Sequence, residues 1–246
     1  MLKPSTIAVL TQIRNEGTRL KEWIEYHYNC YDIDLFYFYL DKPTDDSKKI
    51  LKELSKKFPI KYKPTDGIGL YNGNDSMHPD ATQRQLRSLK KGFNFLKYKF
   101  DWIAIIDVDE WIVPNNLQNY NLKQTLKSYN RNLFWLPSYF FKPPFDANKS
   151  IVSQNFYRCS SEERSKSKYA DEGKSIVRGK IGLDEVYKVD VHRGPEADLY
   201  NDEIDFWTDN ADFRIHHFQS HCSKSNLDYG VFDNSIAKII KQGYNN

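Results

Sequence analysis

The sequence predicts an α/β fold in which helices cover a mixed, mainly parallel sheet. Apolar runs alternate with helical patterns along the first half of the chain, and those runs are continuous, as in strands that are buried on both faces. The 246 residues are 39% hydrophobic and 15% aromatic, which suffices for the core of one large domain.

The first part of the chain predicts strands and helices in alternation. Leu20, Trp23 and Ile24 recur at the spacing of one helix face, whereas the runs on either side are rich in β-branched and aromatic residues. In chain order the sequence predicts a strand at 6–13, a helix at 18–28, a strand at 35–40, a helix that Asp45 can cap, and a strand at 60–63.

A long loop at 65–80 precedes the next helix. It contains three glycines and a proline, and loops of this length in compact domains tend to be functional. The segment 81–98 then predicts a helix on which Gln83 and Arg87 share a face, four residues apart. These two side chains either contact a ligand or are solvated, and their spacing leaves both possibilities open.

The next predicted strand, 102–106, is followed by three carboxylates: Asp107, Asp109 and Glu110. Ligands of parallel sheets bind outside the carboxyl ends of the strands, so this cluster faces the expected crevice. Two carboxylates at this spacing can share one divalent ion, and Mg²⁺ and Mn²⁺ prefer oxygen ligands and also bind phosphates. The alternative is that these side chains only cap the turn before Pro114.

The second half of the chain is less regular. The segment 133–141 predicts a strand, and the polar stretch 159–173 predicts a loop that closes over substrate. Near the C-terminus, Ile236, Ile239 and Ile240 lie on one face of a predicted helix, which packs on the domain or on a partner.

The charge balance excludes nucleic acid as the main partner. The chain has 36 basic and 33 acidic residues, a net charge of +3, so its overall field is weak. Lysine clusters at 48–57 and 90–99 fall largely on the polar sides of predicted helices. They are solvated, or they make a peripheral contact with a membrane or polyanion.

The cysteines and the N-terminus predict a cytoplasmic protein. Three widely spaced cysteines, without a CxxC pair, fit a reducing compartment better than a disulfide framework or a zinc site. The first residues lack the cleavage site of a signal peptide, and no window approaches the ~18 apolar residues of a membrane span.

Five sequence blocks carry a resemblance to a known family. They are IRNEGTRLKEWIEYH at 13–27, FYLDKPTDDS at 38–47, WIAIIDVDEWIVP at 102–114, KSIVR at 174–178 and IHHF at 215–218. In order and approximate spacing these blocks resemble the GT-A glycosyltransferases, and within them family 92 and its family 2-like relatives. The resemblance implies a single Rossmann-like GT-A domain at 1–220, with a nucleotide-sugar-binding half at 1–114, an acceptor-binding half at 115–220 and a C-terminal helical tail at 221–246.

The resemblance also implies which side chains bind a UDP- or GDP-sugar donor. Polar residues after the first two strands contact the nucleoside in relatives, and the basic pair of the KSIVR block is suited to the donor phosphate or the acceptor. With the helix pair described above, the candidates are Arg14, Asn15, Glu16, Asp41, Gln83, Arg87, Asp107, Lys174 and Arg178.

The same family pattern implies a site for Mn²⁺ or Mg²⁺. Asp107 and Asp109 match its DxD pair, and His217 matches a late histidine that reaches the metal. Asp109 is the expected direct ligand, with Asp107 directed at the ribose or at a metal-bound water. His216 departs from the asparagine that the family has at this position.

An inverting transferase, which the resemblance favours, also needs a general base for the acceptor hydroxyl. Several acidic residues lie in suitable regions, and no spacing rule selects one. Asp171 and Glu172 are the candidates because they adjoin Lys174. The acceptor would be a glycan or another glycoconjugate.

Two other functions remain open at the level of sequence. A DxD pair after a strand also occurs in haloacid-dehalogenase phosphatases, where the first aspartate is the nucleophile. Those enzymes usually carry it after the first strand, whereas here it follows several strands. A catalytically inactive carbohydrate-binding or scaffold protein of the same fold is the other alternative.

Overall fold

The computed structural model describes residues 5–65, 79–118, 120–141, 149–150, 154, 156–166, 172–179, 188–190, 194–196, 212–218 and 228–243. Its strands are β1 (Ile7–Ile13), β2 (Leu35–Leu40), β3 (Ile60–Pro64), β4 (Trp102–Ile105), β5 (Glu110–Pro114), β6 (Leu133–Phe140), β7 (Tyr157–Arg158), β8 (Gly173–Arg178), β9 (Lys188–Asp190), β10 (Gly194–Glu196), β11 (Phe213–His217) and β12 (Val231–Phe232). Its helices are α1 (Gly17–Tyr31), α2 (Ser47–Leu54), α3 (Pro79–Leu96), α4 (Leu122–Ser128), α5 (Ser161–Lys166) and α6 (Ser235–Lys241).

The main sheet has eight strands in the order β3-β2-β1-β4-β8-β6-β11-β5. The β3-β2-β1-β4 half is parallel, as is the β6-β11 pair. Strand β8 is antiparallel to both of its neighbours, and β5 is antiparallel to β11. The predicted α/β class with a mixed, mainly parallel sheet is confirmed.

Different helices cover the two faces of the sheet, because successive side chains of a strand point to opposite faces. Ile7 and Val9 of β1 belong to the core that includes α1, α2, α4 and α6. Ala8 and Leu10 belong to a second core beneath α3. Burial on both faces therefore explains the continuous apolar runs in the sequence.

Two segments differ from the sequence-based expectation. The residues after the acidic cluster form a further strand, β5, and part of the expected loop at 159–173 forms helix α5. Helix α6 packs on the domain, since Ile236 and Ile239 belong to the larger core. Among the helices that the structure describes, none is both long and apolar enough to cross a membrane.

Helix α1 supplies hydrogen-bond partners to the outer backbone groups of β5. This strand lies at the end of the described sheet, where it pairs with β11. Trp23 Nε1 donates a hydrogen bond to the carbonyl of Glu110 (2.7 Å), and the Tyr26 hydroxyl donates to the carbonyl of Ile112 (2.8 Å). These bonds replace the partners that a neighbouring strand would supply, and they close an edge that would otherwise carry unpaired polar groups.

His27 completes this contact and must be neutral to do so. Its Nε2 accepts from the backbone N–H of Ile112 (3.2 Å), while Nδ1 donates to the carbonyl of Trp23 (2.8 Å). Burial lowers the pKa of His27 from its ordinary value to about 3. The hydroxyl of Tyr31 also donates to the Ile112 carbonyl (2.6 Å).

We predict that His27 makes the protein less stable as the pH falls below 6.5. Between pH 6.5 and 3 the unfolded chain binds a proton at this histidine and the folded chain does not, so the free energy of unfolding falls by about 1.4 kcal/mol per pH unit. Urea unfolding at pH 7.5, 6.0 and 5.0 should show that His27→Gln loses about 2 kcal/mol less than the wild type between pH 7.5 and pH 5.

Tyr31→Phe is the matched control, because it removes another hydrogen bond to the backbone of Ile112 without removing a group that titrates in this pH range. It should be less stable at every pH and keep the wild-type pH dependence. Equal pH dependences for His27→Gln and the wild type would contradict the neutral buried histidine.

Candidate functional site

The acidic residues lie in the tight turn that joins β4 to β5. The backbone N–H of Glu110 donates to the carbonyl of Asp107 (3.0 Å), and the Glu110 carboxylate accepts from the backbone N–H of Asp107 (2.9 Å). Glu110 is only 1% exposed. Because β1 and β4 are adjacent and parallel, this turn lies at the same edge of the sheet as the residues that follow β1.

Lys174 of β8 lies between two carboxylates of this turn. Its Nζ is 2.6 Å from Asp107 Oδ2 and 3.2 Å from Glu110 Oε2, and its side chain is 3% exposed. Burial alone would lower the pKa of Lys174, but the two carboxylates raise it above its ordinary value. Gln85 of α3 donates to the other oxygen of Asp107 (3.2 Å), so both oxygens of that carboxylate are bound.

Asp109 faces His217 at the acidic turn. Asp109 Oδ2 lies 3.5 Å from His217 Nε2, and His217 Nδ1 lies 3.6 Å from Glu110 Oε1. Burial acts against both charges, yet the neighbouring carboxylates raise the pKa of His217 and the histidine lowers the pKa of Asp109. The Asp109 side chain is 25% exposed, which leaves this pair accessible to a ligand.

The turn after β1 lies close to the acidic turn. Asn15 adopts a left-handed conformation (φ 58°), and its Oδ1 accepts from the backbone N–H of Thr44 (2.7 Å). Glu16 is half-buried, and burial, followed by the charge of Asp109, raises its pKa to about 7. Arg14 is half-buried in the same turn.

Asp41 has a different environment from the one expected for a nucleoside contact. It is 3% exposed, and Arg84 donates to both of its oxygens, each at 3.2 Å. The hydroxyl of Thr65 donates to Oδ1 as well (3.0 Å). This carboxylate anchors α3 to the end of β2, so its oxygens are already used inside the protein.

On α3, two neighbours of the candidates Gln83 and Arg87 contact the carboxylates at the strand ends. Gln83 and Arg87 are exposed, whereas Arg84 and Gln85 point inward to Asp41 and Asp107 respectively. The inward direction of Gln85 could have been predicted from the apolar stripe of α3. Gln85 precedes buried Leu89 by four residues, so both lie on the same face of the helix.

Arg178 lies away from the acidic turn. Its guanidinium stacks on Trp102, 4.3 Å from the ring centroid, and donates to the carbonyl of Tyr129 (2.5 Å). Trp102 is the first residue of β4, whereas the acidic turn follows the last. Lys174 and Arg178 are four residues apart on an extended strand, about 13 Å, so only Lys174 reaches the site.

Of the two candidates for the general base, the structure describes only Glu172. Glu172 is half-buried directly before β8, and its carbonyl accepts from the backbone N–H of Ser138 (3.2 Å). Asp171 lies outside the described residues.

A buried charged cluster supports the strand that carries His217. Asp233, next to β12, accepts from Arg158 Nε (2.6 Å) and Arg214 Nη2 (3.1 Å), and its other oxygen accepts from the Ser235 hydroxyl (2.6 Å). Arg214 Nε donates to His216 Nε2 (2.9 Å), and burial lowers the pKa of His216, which is neutral. His216 is thus part of this support and not of the site.

Of the three predicted metal ligands, Asp109 and His217 face each other, whereas Asp107 faces Lys174 and Gln85. The facing atoms of Asp109 and His217 are 3.5 Å apart, close to the spacing of two neighbouring ligands of one ion. Asp107 is held by Lys174 and Gln85. Among the described residues, no group of three or more His, Cys, Asp or Glu side chains is arranged to hold a metal, so a bound ion would take its remaining ligands from substrate and water.

One family model matches almost the whole chain: glycosyltransferase family 92, over residues 5–227. No curated protein matches the sequence.

Among solved structures, the chain is similar to Staphylococcus aureus TarS 1–349, at 14% identity and a TM-score of 0.41, over 71% of this chain and 47% of TarS. It is also similar to glucosyl-3-phosphoglycerate synthase from Mycobacterium tuberculosis, solved with Mn²⁺, UDP and glucosyl-3-phosphoglycerate, at 13% identity and a TM-score of 0.39, over 72% of this chain and 57% of that one. The chain thus spans about half the length of the structures it matches.

We predict that Lys174 is the main charge partner of the turn. Lys174→Met leaves buried Glu110 and half-buried Asp107 without their cation and should lower the free energy of unfolding by about 3–5 kcal/mol. Urea unfolding at pH 7 measures this loss. The double variant Lys174→Met/Glu110→Gln should recover part of it, because it removes one of the two charges.

Lys56→Met is the matched control. Its ion pair with Glu53 has an N–O distance of 2.5 Å, but the two side chains are 64% and 59% exposed. The control should change the free energy of unfolding by no more than about 0.5 kcal/mol. Similar losses for Lys174→Met and Lys56→Met would rule out a special role of Lys174.

Proposed function

Since the chain belongs to glycosyltransferase family 92, we propose that it transfers a sugar from a nucleoside-diphosphate donor to a hydroxyl group of a glycan or other glycoconjugate. The observation that carries this proposal is the Asp109–His217 pair, accessible at the carboxyl end of β4. A UDP- or GDP-sugar is the proposed donor, and Mn²⁺ or Mg²⁺ the proposed ion.

The proposal gives separate roles to the residues of the acidic turn. Asp109 and His217 would hold the divalent ion, which when bound neutralises the diphosphate and stabilises the charge of the leaving group. Lys174 keeps Asp107 in place and adds positive charge beside it. Asn15 and Glu16, at the neighbouring turn, are proposed to contact the nucleoside.

We propose an inverting reaction with Glu172 or Asp171 as general base. The carboxylate would accept the proton of the acceptor hydroxyl as its oxygen attacks the anomeric carbon of the sugar. Glu172 directly precedes Gly173 and Lys174, so it lies at the same end of β8 as the acidic turn.

No observation favours the phosphatase alternative. It requires Asp107 as a free nucleophile, but Lys174 and Gln85 bind both of its carboxylate oxygens. An inactive binding protein differs from the proposed enzyme in its activity and not in its geometry, so the experiments below separate the two.

We predict that a divalent ion strengthens nucleotide binding through Asp109. A diphosphate and the carboxylates of the turn repel each other unless a cation lies between them. Calorimetry should show that Mn²⁺ or Mg²⁺ increases the affinity of wild-type protein for UDP or GDP by roughly tenfold or more over EDTA. Asp109→Asn keeps the size of the side chain but removes its charge, and should abolish the increase.

Asp46→Asn makes the same chemical change at an exposed aspartate before α2. It should keep the full effect of the metal. Equal nucleotide affinities with Mn²⁺ and with EDTA in the wild type would remove the metal from the proposal.

We predict that Asp109→Asn abolishes sugar transfer or donor hydrolysis while leaving the fold intact. Its side chain is 25% exposed and lies in a turn, so its replacement should change the melting temperature by only a few degrees. A panel of nucleotide sugars with Mn²⁺ measures turnover, and circular dichroism measures the melt. A phosphoenzyme formed at Asp107 would instead support the phosphatase, and a folded wild type without any turnover would support the binding protein.

A further inference from the structure

Arg19, in the first turn of α1, is a buried cation whose terminal nitrogens are unused. The residue is 4% exposed, and neither Nη1 nor Nη2 has a hydrogen-bond partner within the described part of the chain. By contrast, buried Arg84 and Lys174 each have a carboxylate oxygen within 3.2 Å. A buried guanidinium without partners is unfavourable for folding, and such local costs are typical of functional sites.

The position of Arg19 directs it at the acidic turn. Arg19, Trp23 and Tyr26 lie on one stripe of α1, at spacings of four and three residues. Trp23 donates a hydrogen bond to the carbonyl of Glu110, and Tyr26 donates one to that of Ile112. Later residues of α1 therefore contact later residues of β5. One helical turn before Trp23, Arg19 therefore lies beside the start of β5, next to Asp109.

The electrostatics of the site agree with this placement. The positive charge of Arg19 lowers the pKa values of both Asp109 and Glu16, although other influences dominate each of them. Arg19 makes no ion pair within 4.0 Å with either carboxylate in the described structure. Its guanidinium is thus near enough to the turn to act on Asp109, and both of its Nη groups are buried without a hydrogen-bond partner among the described residues.

We propose that Arg19 binds the sugar-linked phosphate of the donor through its two free Nη groups. This inference rests on the proposed function, because it takes the donor to be a nucleoside diphosphate held at Asp109 and His217. An arginine fork matches two phosphate oxygens at once, which a lysine cannot do.

Two other buried basic side chains near the acidic turn are already engaged. Lys174 is bound by Asp107 and Glu110, and Arg84 by Asp41. Arg19 is therefore suited to the phosphate whose charge changes as the sugar leaves, and it compensates that charge from the helix side of the turn.

The test compares a nucleoside diphosphate with its monophosphate. Calorimetry with Mn²⁺ measures UDP against UMP, and GDP against GMP, for the wild type, Arg19→Gln and Arg19→Lys. Arg19→Gln should weaken binding of the diphosphate by about tenfold or more and that of the monophosphate by less than about twofold. Arg19→Lys should lie between Arg19→Gln and the wild type. Lys21→Gln, at an exposed residue of the same helix, should bind like the wild type.

Thermal melts distinguish ligand binding from a structural role. Loss of an unpaired buried cation should leave the melting temperature of Arg19→Gln unchanged or raise it, whereas a structural role predicts a lower melting temperature and unchanged nucleotide affinity. Equal weakening of UDP and UMP would also overturn the inference.

The inference and the proposed function can fail separately. If the wild type binds UDP or GDP and Asp109→Asn weakens that binding, but Arg19→Gln does not, only the role of Arg19 is wrong. If the wild type binds neither diphosphate with Mn²⁺, the proposed function fails, and the inference fails with it. An effect of Arg19→Gln on binding of inorganic phosphate alone, with UDP binding unchanged, would assign Arg19 to another anion and overturn the inference.

Discussion

The closure of the β5 edge by α1 is the constraint on which the site depends. The backbone N–H and C=O groups on the outer side of an edge strand have no neighbouring strand to bind. Burying these groups without hydrogen-bond partners is unfavourable for folding. Side chains of α1 supply those partners, so helix and strand are fixed in mutual register. Glu110 is the first residue of that strand, and the acidic turn is placed by the same contacts.

Within the turn, the carboxylates have two different tasks. Asp107 and Glu110 share the cation of Lys174 and hold the turn together, as an ion pair does when its hydrogen bonds are complete. Asp109 does not contact Lys174 and faces a histidine. A cluster that looks uniform in the sequence therefore divides into a structural pair and a residue that remains available to a ligand.

Sequence patterns predicted the fold class and the meeting of strand ends, because both follow from periodicity and chain direction. The spacing of Lys174 and Arg178 places them at opposite ends of one strand, but it could not show that Lys174 is the one at the acidic turn. The polar side of α3 was predicted with Gln83 and Arg87 on it, and both are exposed, but the helical pattern did not show that Arg84 and Gln85 would contact carboxylates. The buried partner of Asp41 arises from tertiary packing, and no local pattern encodes it.

The Asp233 cluster has a consequence for the order in which the chain acquires its structure. Asp233 lies 75 residues beyond Arg158 and 19 beyond Arg214, and Trp23 lies 87 residues before the carbonyl that it binds. Contacts so distant along the chain must wait for the later residue to leave the ribosome, and they slow folding because long loops have to close first. The α1 side chains that contact β5 are thus synthesised before the acidic turn, whereas Lys174 follows Asp107 by 67 residues, so the turn lacks its cation until β8 has been made.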